Sequence, residues 1–235
     1  MIVYGANPVM EALRAHPDRV RWVAVAREES RRHQRIVELA REGKTGVRFL
    51  ASRELDRLSG DGVHNGVVAE VSSESYAEFE DLAGTVERVF LLDGITDPQN
   101  FGAILRVADG FGFGLVVIPE HDSVGLTPVA VKASAGASEW VPVAQVTNLS
   151  RAIERLKKEG FWIYGADGTG EPLSGAKLTG KVAIVMGSEG KGIRRNVLEH
   201  CDMRIAIPMS GHVDSLNVAA AAAVFAWEVA RQSKG

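Results

Sequence analysis

Two short apolar runs in the last third of the chain, Val182–Met186 and Arg204–Pro208, each open onto a loop of glycines and small polar residues. Apolar runs of this length that are bounded by turn residues are typical of buried strands. The second loop leads into an alanine-rich segment, Leu216–Ala230, that predicts a helix. Proteins that combine buried strands with helices hold ligands at the loops that follow the strands. We therefore expect the active site in these two loops.

Strand and helix patterns alternate along residues 88–235, which predicts the α/β class with a mostly parallel sheet flanked by helices. Asp97 and Pro98 predict a capped helix start. The apolar residues of that helix recur at helical spacing: Phe101, Ile104, Leu105 and Ala108. The other predicted strands are Arg88–Leu92, Leu115–Pro119, Val141–Val146 and Phe161–Gly165, and the last is followed by a predicted loop over residues 166–180. The other predicted helices are Thr127–Ala137 and Leu149–Lys158.

Residues 1–71 predict a separate small α/β domain. Its predicted strands are Val20–Ala26, Val47–Leu50 and Val67–Val71, and its predicted helices begin at Asn7-Pro8 and cover Glu28–Glu42 and Ser52–Leu58. Residues 72–87 are acidic and polar without a clear period, which predicts a linker that carries a fragment of helix. The predicted domains are therefore 1–71 and 88–235.

The charge of the chain is unevenly distributed. The formal net charge of −3 argues against a polyanion binder that uses its whole surface. Residues 1–72, however, carry twelve Lys and Arg against ten Asp and Glu, and eleven of those cations are Arg. Arginine binds phosphates and stacks on bases, so this composition is a hint of an RNA-binding domain, but a solvated helix face is the default interpretation of such a mixture of charges.

Cysteine and histidine usage restricts the chemistry. The single cysteine, Cys201, excludes an internal disulfide and a cysteine-based zinc site, and we expect it to be a buried inert thiol. The histidines are scattered, so no metal site is expected. The N-terminus lacks the pattern of a signal peptide and no apolar run is long enough to cross a bilayer, which predicts a cytoplasmic protein with no membrane partner.

Three glycine-rich segments do not fit known nucleotide-binding fingerprints. Gly110–Gly114 precedes a strand instead of following one, and Gly165–Gly170 has the wrong spacing. Gly187–Gly192 lacks both the Walker A spacing and a hydroxyl residue after Lys191. A nucleotide-linked oxidoreductase is therefore disfavoured.

Three other segments, taken together, carry a family resemblance. Asp93–Ala108, Val185–Ile193 and Ile205–Val218 resemble, in that order, the three motifs of the SpoU (TrmH) branch of the SPOUT RNA methyltransferases. Tyr4-Gly5 and His64–Gly66 extend the resemblance over nearly the whole chain. Each motif alone is weak, whereas the set is highly specific.

The resemblance implies a fold and an activity. The expected fold is a small N-terminal α/β RNA-recognition domain followed by a SPOUT parallel-sheet domain with a C-terminal trefoil knot. The expected cofactor is S-adenosyl-L-methionine, bound in the knot, and the expected assembly is a homodimer through the C-terminal domain with a shared active site. The expected reaction is methylation of a guanosine ribose 2'-hydroxyl in large-subunit (23S) rRNA.

The same resemblance implies the site residues. The residues expected to contact the methyl donor are Gly187, Ile207 and Leu216, and the expected catalytic set is Asn100, Arg106, Glu189, Ser215 and Asn217. The chain departs from the family pattern at Ala219, His212 and Asp214, which puts local substrate contacts in question.

The residue chemistry refines these roles. Arg106 is often proposed as the general base in this family, but a guanidinium holds its proton too tightly for that role near neutral pH. We expect Arg106 to bind the target phosphate and stabilise the emerging oxyanion instead. Glu189 would order its loop or receive a proton through Ser215, or it would offset a helix dipole. Asn100 and Asn217 would brace the loops or cap helices.

The segment Leu216–Ala230 is apolar nearly all round, so one face needs cover beyond its own sheet, which predicts a dimer interface there. Two alternatives to the rRNA methyltransferase stay open. One is a tRNA ribose 2'-O-methyltransferase of the same fold, and the other is a non-catalytic RNA-binding protein.

Overall fold

The computed structural model describes residues 1–72 and 76–233. The strands, in chain order, are β1 (Ile2–Tyr4), β2 (Val20–Ala26), β3 (Gly46–Leu50), β4 (Val67–Val71), β5 (Arg88–Asp93), β6 (Leu115–Pro119), β7 (Val143–Val146), β8 (Trp162–Pro172), β9 (Val182–Gly187) and β10 (Met203–Ala206). The α-helices are α1 (Ala6–Ala15), α2 (Gln34–Glu42), α3 (Ser52–Ser59), α4 (Phe79–Leu82), α5 (Pro98–Gly110), α6 (Pro128–Ala133), α7 (Leu149–Lys158), α8 (Arg195–Leu198) and α9 (Val218–Gln232). Within the described ranges, the helices are too short or too polar to cross a membrane.

The chain forms two compact units. The first unit is built on a four-stranded sheet in the order β1-β4-β2-β3, in which β4 runs antiparallel to both neighbours and β2 runs parallel to β3. One face of the sheet packs on α1 and α2 through valines such as Val23 and Val25, and the other packs on α3 through Leu55. The predicted strands β2 and β4 are confirmed at the predicted residues.

Leu126–Trp140 belongs to this first unit, together with the described part of Met1–Ser75. Val131, on α6, is fully buried in the same cluster as the sheet valines. The Trp140 indole N–H donates to Glu11 Oε2 at 3.1 Å. This grouping differs from the predicted contiguous boundaries at 1–71 and 88–235, because the contacts of this segment lie far away in sequence.

The predicted linker is in part a packed segment. Its residues 73–75 lie outside the described residues. Phe79 and Ala83 are buried in the core of the second unit, and the Ala77 N–H donates to the Val143 carbonyl at 2.8 Å. The expected helix fragment is present as α4. Residues 77–83 are thus anchored to the second unit.

The second unit contains a six-stranded sheet in the order β10-β8-β9-β5-β6-β7, and every neighbouring pair is parallel. This confirms the predicted parallel sheet. Because parallel strands share one orientation, their carboxyl ends lie at one edge, where ligands of open α/β sheets bind. The loops after β8, β9 and β10 therefore meet at that edge.

Two strand predictions in this sheet need correction. β8 continues to Pro172, through a segment predicted to be a loop, because its second half pairs with β10. A Cβ at Gly170 would come within 2.6 Å of the Arg204 carbonyl oxygen, so the glycine there permits close strand pairing. β10 ends at Ala206, which leaves Ile207 and Pro208 in the loop.

Most of the predicted helices are present, although several begin or end at residues other than those predicted. The Asp97 side chain accepts from the Gln99 N–H at 2.9 Å, and Asn148 caps α7, which spans the predicted residues. The helix predicted over Glu28–Glu42 begins only at Gln34, after a short 3₁₀ turn. The helix predicted from Asn7 begins at Ala6, after Gly5 with a φ of 104°.

Cys201 packs against the core of the second unit. Burial, with a smaller contribution from Asp202, raises the pKa of the Cys201 thiol to about 12. The thiolate is the reactive form, so this environment makes the side chain unreactive at neutral pH. The prediction of an inert thiol agrees with this environment.

Candidate active site

A cavity of about 600 Å³ opens at the carboxyl edge of the second sheet. Its walls come from three places that are distant in sequence: residues 166–168 of β8, the loop after β9, and the loop between β10 and α9. The floor is apolar and includes Met186, Ile205 and Phe225. A cavity of this size and composition is typical of a site for a cofactor-sized molecule.

The loop after β9 is a closed turn. The Ser188 N–H donates to the Gly192 carbonyl at 3.2 Å, and the Gly192 N–H donates back to the Ser188 carbonyl at 2.9 Å. Gly190 and Gly192 have φ angles of 80° and 66°, which side-chain-bearing residues rarely adopt. A Cβ at Gly187 would overlap the backbone of Gly192 and Ile193. Gly187 is therefore required for the turn to fold back beside the cavity.

Three side chains from three segments form a hydrogen-bonded network at this turn. The amide nitrogen Nδ2 of Asn100 donates to Glu189 Oε1 at 3.1 Å. Nδ2 of Asn217 donates to Glu189 Oε1 at 3.0 Å and to Asn100 Oδ1 at 2.8 Å. The Asn217 Oδ1 also accepts from the Ala219 N–H at 2.9 Å, which caps α9. The hydrogen bonds by which Asn100 and Asn217 were predicted to brace the loops are thus present. Asn217 is also the N-cap of α9.

The remaining expected site residues divide into two groups. Ile207, Ser215 and Leu216 line the cavity beside Gly187 and Glu189. Arg106 does not line the cavity: it lies on the exposed side of α5, about 9 Å along the helix axis from Asn100. The structure therefore brings together the expected set within one chain except for Arg106.

Three carboxylates, those of Asp167, Glu189 and Asp214, are part of the cavity wall. The Thr169 hydroxyl and N–H donate to Asp167 Oδ1 at 2.6 and 2.8 Å, and these hydrogen bonds, assisted by Arg204, hold the pKa of Asp167 below its ordinary value. None of the described lining residues is Lys or Arg. The cavity therefore favours a ligand that carries positive charge.

Sequence reasoning missed one pair at this site. Asp93, the last residue of β5, is almost fully buried and binds Arg194, which follows the turn. The Arg194 N–H and Nε donate to the two Asp93 carboxylate oxygens, each at 2.7 Å. The one feature of the sequence that pointed to this pair was an acidic residue, Asp93, at the end of a predicted buried strand. Nothing in the sequence identified Arg194 as its partner.

Family models match both parts of the chain. The SpoU rRNA Methylase family matches residues 87–227. A family described as RNA 2'-O ribose methyltransferase substrate binding matches residues 2–77. The two matches leave only the predicted linker region between them.

Characterised proteins resemble the chain over nearly its full length. The 23S rRNA (guanosine-2'-O-)-methyltransferase RlmB of Pseudomonas putida is 42% identical, over 98% of this chain and 96% of that protein. RlmB of Escherichia coli K12 is 40% identical, over 98% of both chains. Among solved structures, the SpoU methyltransferase AviRb of Streptomyces viridochromogenes in complex with AdoMet superimposes with a TM-score of 0.79 at 25% identity, over 99% of this chain and 89% of that one.

The network predicts a pH-dependent response to substitution of Asn217. Asn217→Asp keeps the capping oxygen but places a second carboxylate against Glu189. Because two facing carboxylates repel when both are ionised, the folded variant should retain a proton that the unfolded chain has released. Stability should therefore fall as the pH rises from 4 to 7. Thermal unfolding at each pH measures this.

Asn217→Ala is the matched control, since it removes the cap, worth about 1 kcal/mol, without adding charge. Its loss of stability should be nearly independent of pH. If the unfolding temperature of Asn217→Asp depended on pH in the same way as that of the unsubstituted protein, residue 217 would not interact electrostatically with Glu189, contrary to this prediction.

Proposed function

Because the chain belongs to the SpoU rRNA Methylase family, we propose that it transfers a methyl group from S-adenosyl-L-methionine to the ribose 2'-hydroxyl of a guanosine in 23S rRNA. The observation that carries the proposal is the convergence of the three motif segments around one cavity. The near-complete overlap with two 23S rRNA guanosine methyltransferases supports the substrate. The similarity to proteins that methylate 23S rRNA supports the cytoplasm as the proposed location.

The cavity fits the proposed donor in size and chemistry. Gly187 would allow close backbone approach, and Ile207 and Leu216 would supply apolar walls for an adenosine. The carboxylates of Asp167 and Glu189 suit a cationic molecule. S-adenosyl-L-methionine, when bound, supplies a methyl group activated by a sulfonium centre.

The residues of this chain would then align and assist the reacting hydroxyl. Asn100 and Asn217 hold Glu189 in one position, so that the turn that carries it is ordered before RNA binds. Arg106 would bind the phosphate beside the target ribose and stabilise the oxygen as its proton leaves. Ser215, which lines the same cavity as Glu189, would take part in removing that proton.

The first unit would recognise the RNA. Its match to the substrate-binding family covers residues 2–77. This is the part of the chain with a positive charge balance, and most of its cations are arginines. Arginine side chains bind phosphates and stack on exposed bases, which suits recognition of folded rRNA.

We also propose a homodimer through α9 with a shared active site. Val224 and Trp227, three residues apart on α9, are 36% and 54% exposed, so this helix presents adjacent apolar side chains that its own chain does not cover. A dimer would cover them. It would also allow Arg106 to serve the cavity of the partner, since it does not line the cavity of its own chain.

A trefoil knot is part of the proposal. The supporting observation is the strand order, since β9 lies between β5 and β8 although β8 precedes it in sequence. The chain then continues through β10 and a long loop to α9, which packs against β9 and α5. A crystallographic trace of this part that passes through no other loop would contradict the knot.

The proposed substrate predicts where a labelled methyl group will go. Incubation with methyl-labelled S-adenosyl-L-methionine should label unmodified 23S rRNA, and nuclease digestion should release 2'-O-methylguanosine. A separate tRNA pool should stay unlabelled. Label in tRNA alone would favour the tRNA methyltransferase, and RNA binding without any label would favour the non-catalytic alternative.

The proposed role of Arg106 predicts a loss of turnover without a loss of donor binding. Arg106→Ala should lower kcat about 100-fold or more, as removal of one oxyanion-stabilising donor does in other enzymes. Donor affinity, measured by calorimetry, should stay unchanged because Arg106 lies outside the cavity wall. Arg151→Ala, which removes an exposed arginine on α7, is the control. Near-normal turnover of Arg106→Ala would exclude the role.

The proposed dimer predicts a mass of about twice 25.2 kDa by light scattering at micromolar concentration. Trp227→Glu should shift the protein towards the monomer, because a buried unpaired charge is unfavourable at an interface. Trp162→Glu is a matched control, since Trp162 is 52% exposed but lies on β8. A monomeric unsubstituted protein would contradict the proposal.

A further inference from the structure

Asp93 occupies a position that connects both ends of the turn after β9. In the parallel ladder between β5 and β9, Asp93 is paired with Gly187, the residue before the turn. Its side chain binds Arg194, which follows the turn and is the N-cap residue of α8. One residue therefore fixes the two ends of the segment 187–194.

The interaction between Asp93 and Arg194 is a salt bridge to a buried carboxylate. The Asp93 side chain is 0% exposed and the Arg194 side chain is 50% exposed. Besides the two hydrogen bonds at 2.7 Å, Arg194 Nη2 lies 2.6 Å from Asp93 Oδ1. A buried carboxylate that accepts several charge-assisted hydrogen bonds holds its partner in a fixed geometry.

The segment held in this way carries both functions assigned to the cavity. Gly187 lines the part of the wall expected to meet the methyl donor, and Glu189 joins the network with Asn100 and Asn217. A change in the position of residue 194 would alter the path of the turn and so move both. In metal sites, removing the groups that orient the ligands commonly costs about 10- to 100-fold in affinity, and we expect an effect of the same order here.

We propose that Asp93 and Arg194 are positioning residues: they clamp the turn 188–192 so that the donor-binding wall and Glu189 are preorganised together. This inference rests on the proposed function for its effect on methylation, but not for its effect on the turn. Arg194 acts through the turn, because neither it nor Asp93 lines the cavity.

The test compares Arg194→Gln with Arg195→Gln. Arg195 is the adjacent arginine, its side chain is 93% exposed, and it pairs with Glu199, four residues further along the chain, so it serves as the matched control. Glutamine can still offer a side-chain N–H to the buried Asp93 carboxylate, and the backbone N–H of residue 194 still donates to it, so we expect the fold to persist in Arg194→Gln, which circular dichroism checks. Asp93→Asn is the second variant, since it removes the charge but nearly preserves the volume.

The first measurement is amide hydrogen exchange of the donor-free protein. The Ser188 and Gly192 amides, which are bonded to each other's carbonyls, should exchange about tenfold or more faster in Arg194→Gln and Asp93→Asn than in Arg195→Gln. Equal exchange in Arg194→Gln and Arg195→Gln would overturn the clamp. This result is independent of whether the protein methylates RNA.

The second measurement separates binding from turnover. S-adenosyl-L-methionine should bind roughly tenfold more weakly to Arg194→Gln, and kcat at saturating donor should also fall, while the KM for RNA stays constant. Arg194→Lys should restore only part of the loss, because lysine cannot donate in the forked geometry of a guanidinium. If the amides of the turn exchanged faster in Arg194→Gln but its donor affinity and kcat were unchanged, the positioning role would be overturned. Absence of donor binding by the unsubstituted protein would instead refute the proposed function, and the exchange result would still decide the clamp.

Discussion

The pairing of β9 between β5 and β8 is the interaction on which the candidate site depends. Val182–Gly187 pairs with Arg88–Asp93 on one side, and its first residues pair with the start of β8 on the other. This register places Gly187 beside Asp93, so the turn that follows can fold back on the Asp93 carboxylate. A shift by one residue would exchange the two faces of the strand and would put a side chain where only a glycine fits. The core of the sheet thereby determines the geometry of the cavity wall.

One side chain at the candidate site, Asn217, both caps a helix and holds its neighbours in place. Asn217 caps α9 through its oxygen and binds Glu189 and Asn100 through its nitrogen. The amino end of α9 carries partial positive charge, so a carboxylate held there through Asn217 is in a favourable electrostatic environment. Because Asn217 both caps α9 and binds Glu189, the position of Glu189 is coupled to the start of this helix.

The sequence was informative where the determinants are local. The cap at Asp97 and the apolar spacing after it predicted α5, and both are present, because capping and helical periodicity involve residues within a few positions. The family resemblance identified the residues around the cavity, although it gave no distances. By contrast, Gly168, Gly170 and Pro172 predicted a loop, whereas this segment extends β8, since its partner strand lies more than thirty residues later. The Asp93–Arg194 pair spans 101 positions, and no local pattern indicates it.

The placement of charge explains why Arg106 lies apart from the other expected site residues. The described lining of the cavity contains Asp167, Glu189 and Asp214 but no Lys or Arg, and a guanidinium inside it would compete with a cationic donor for those carboxylates. RNA, in contrast, brings a phosphate that requires a cation. A reaction that joins a cationic donor to an anionic substrate therefore favours acidic groups inside the cavity and an arginine outside it. In the proposed mechanism the exposed side of α5 would meet that requirement, because Arg106 faces the solvent from which the phosphate would approach.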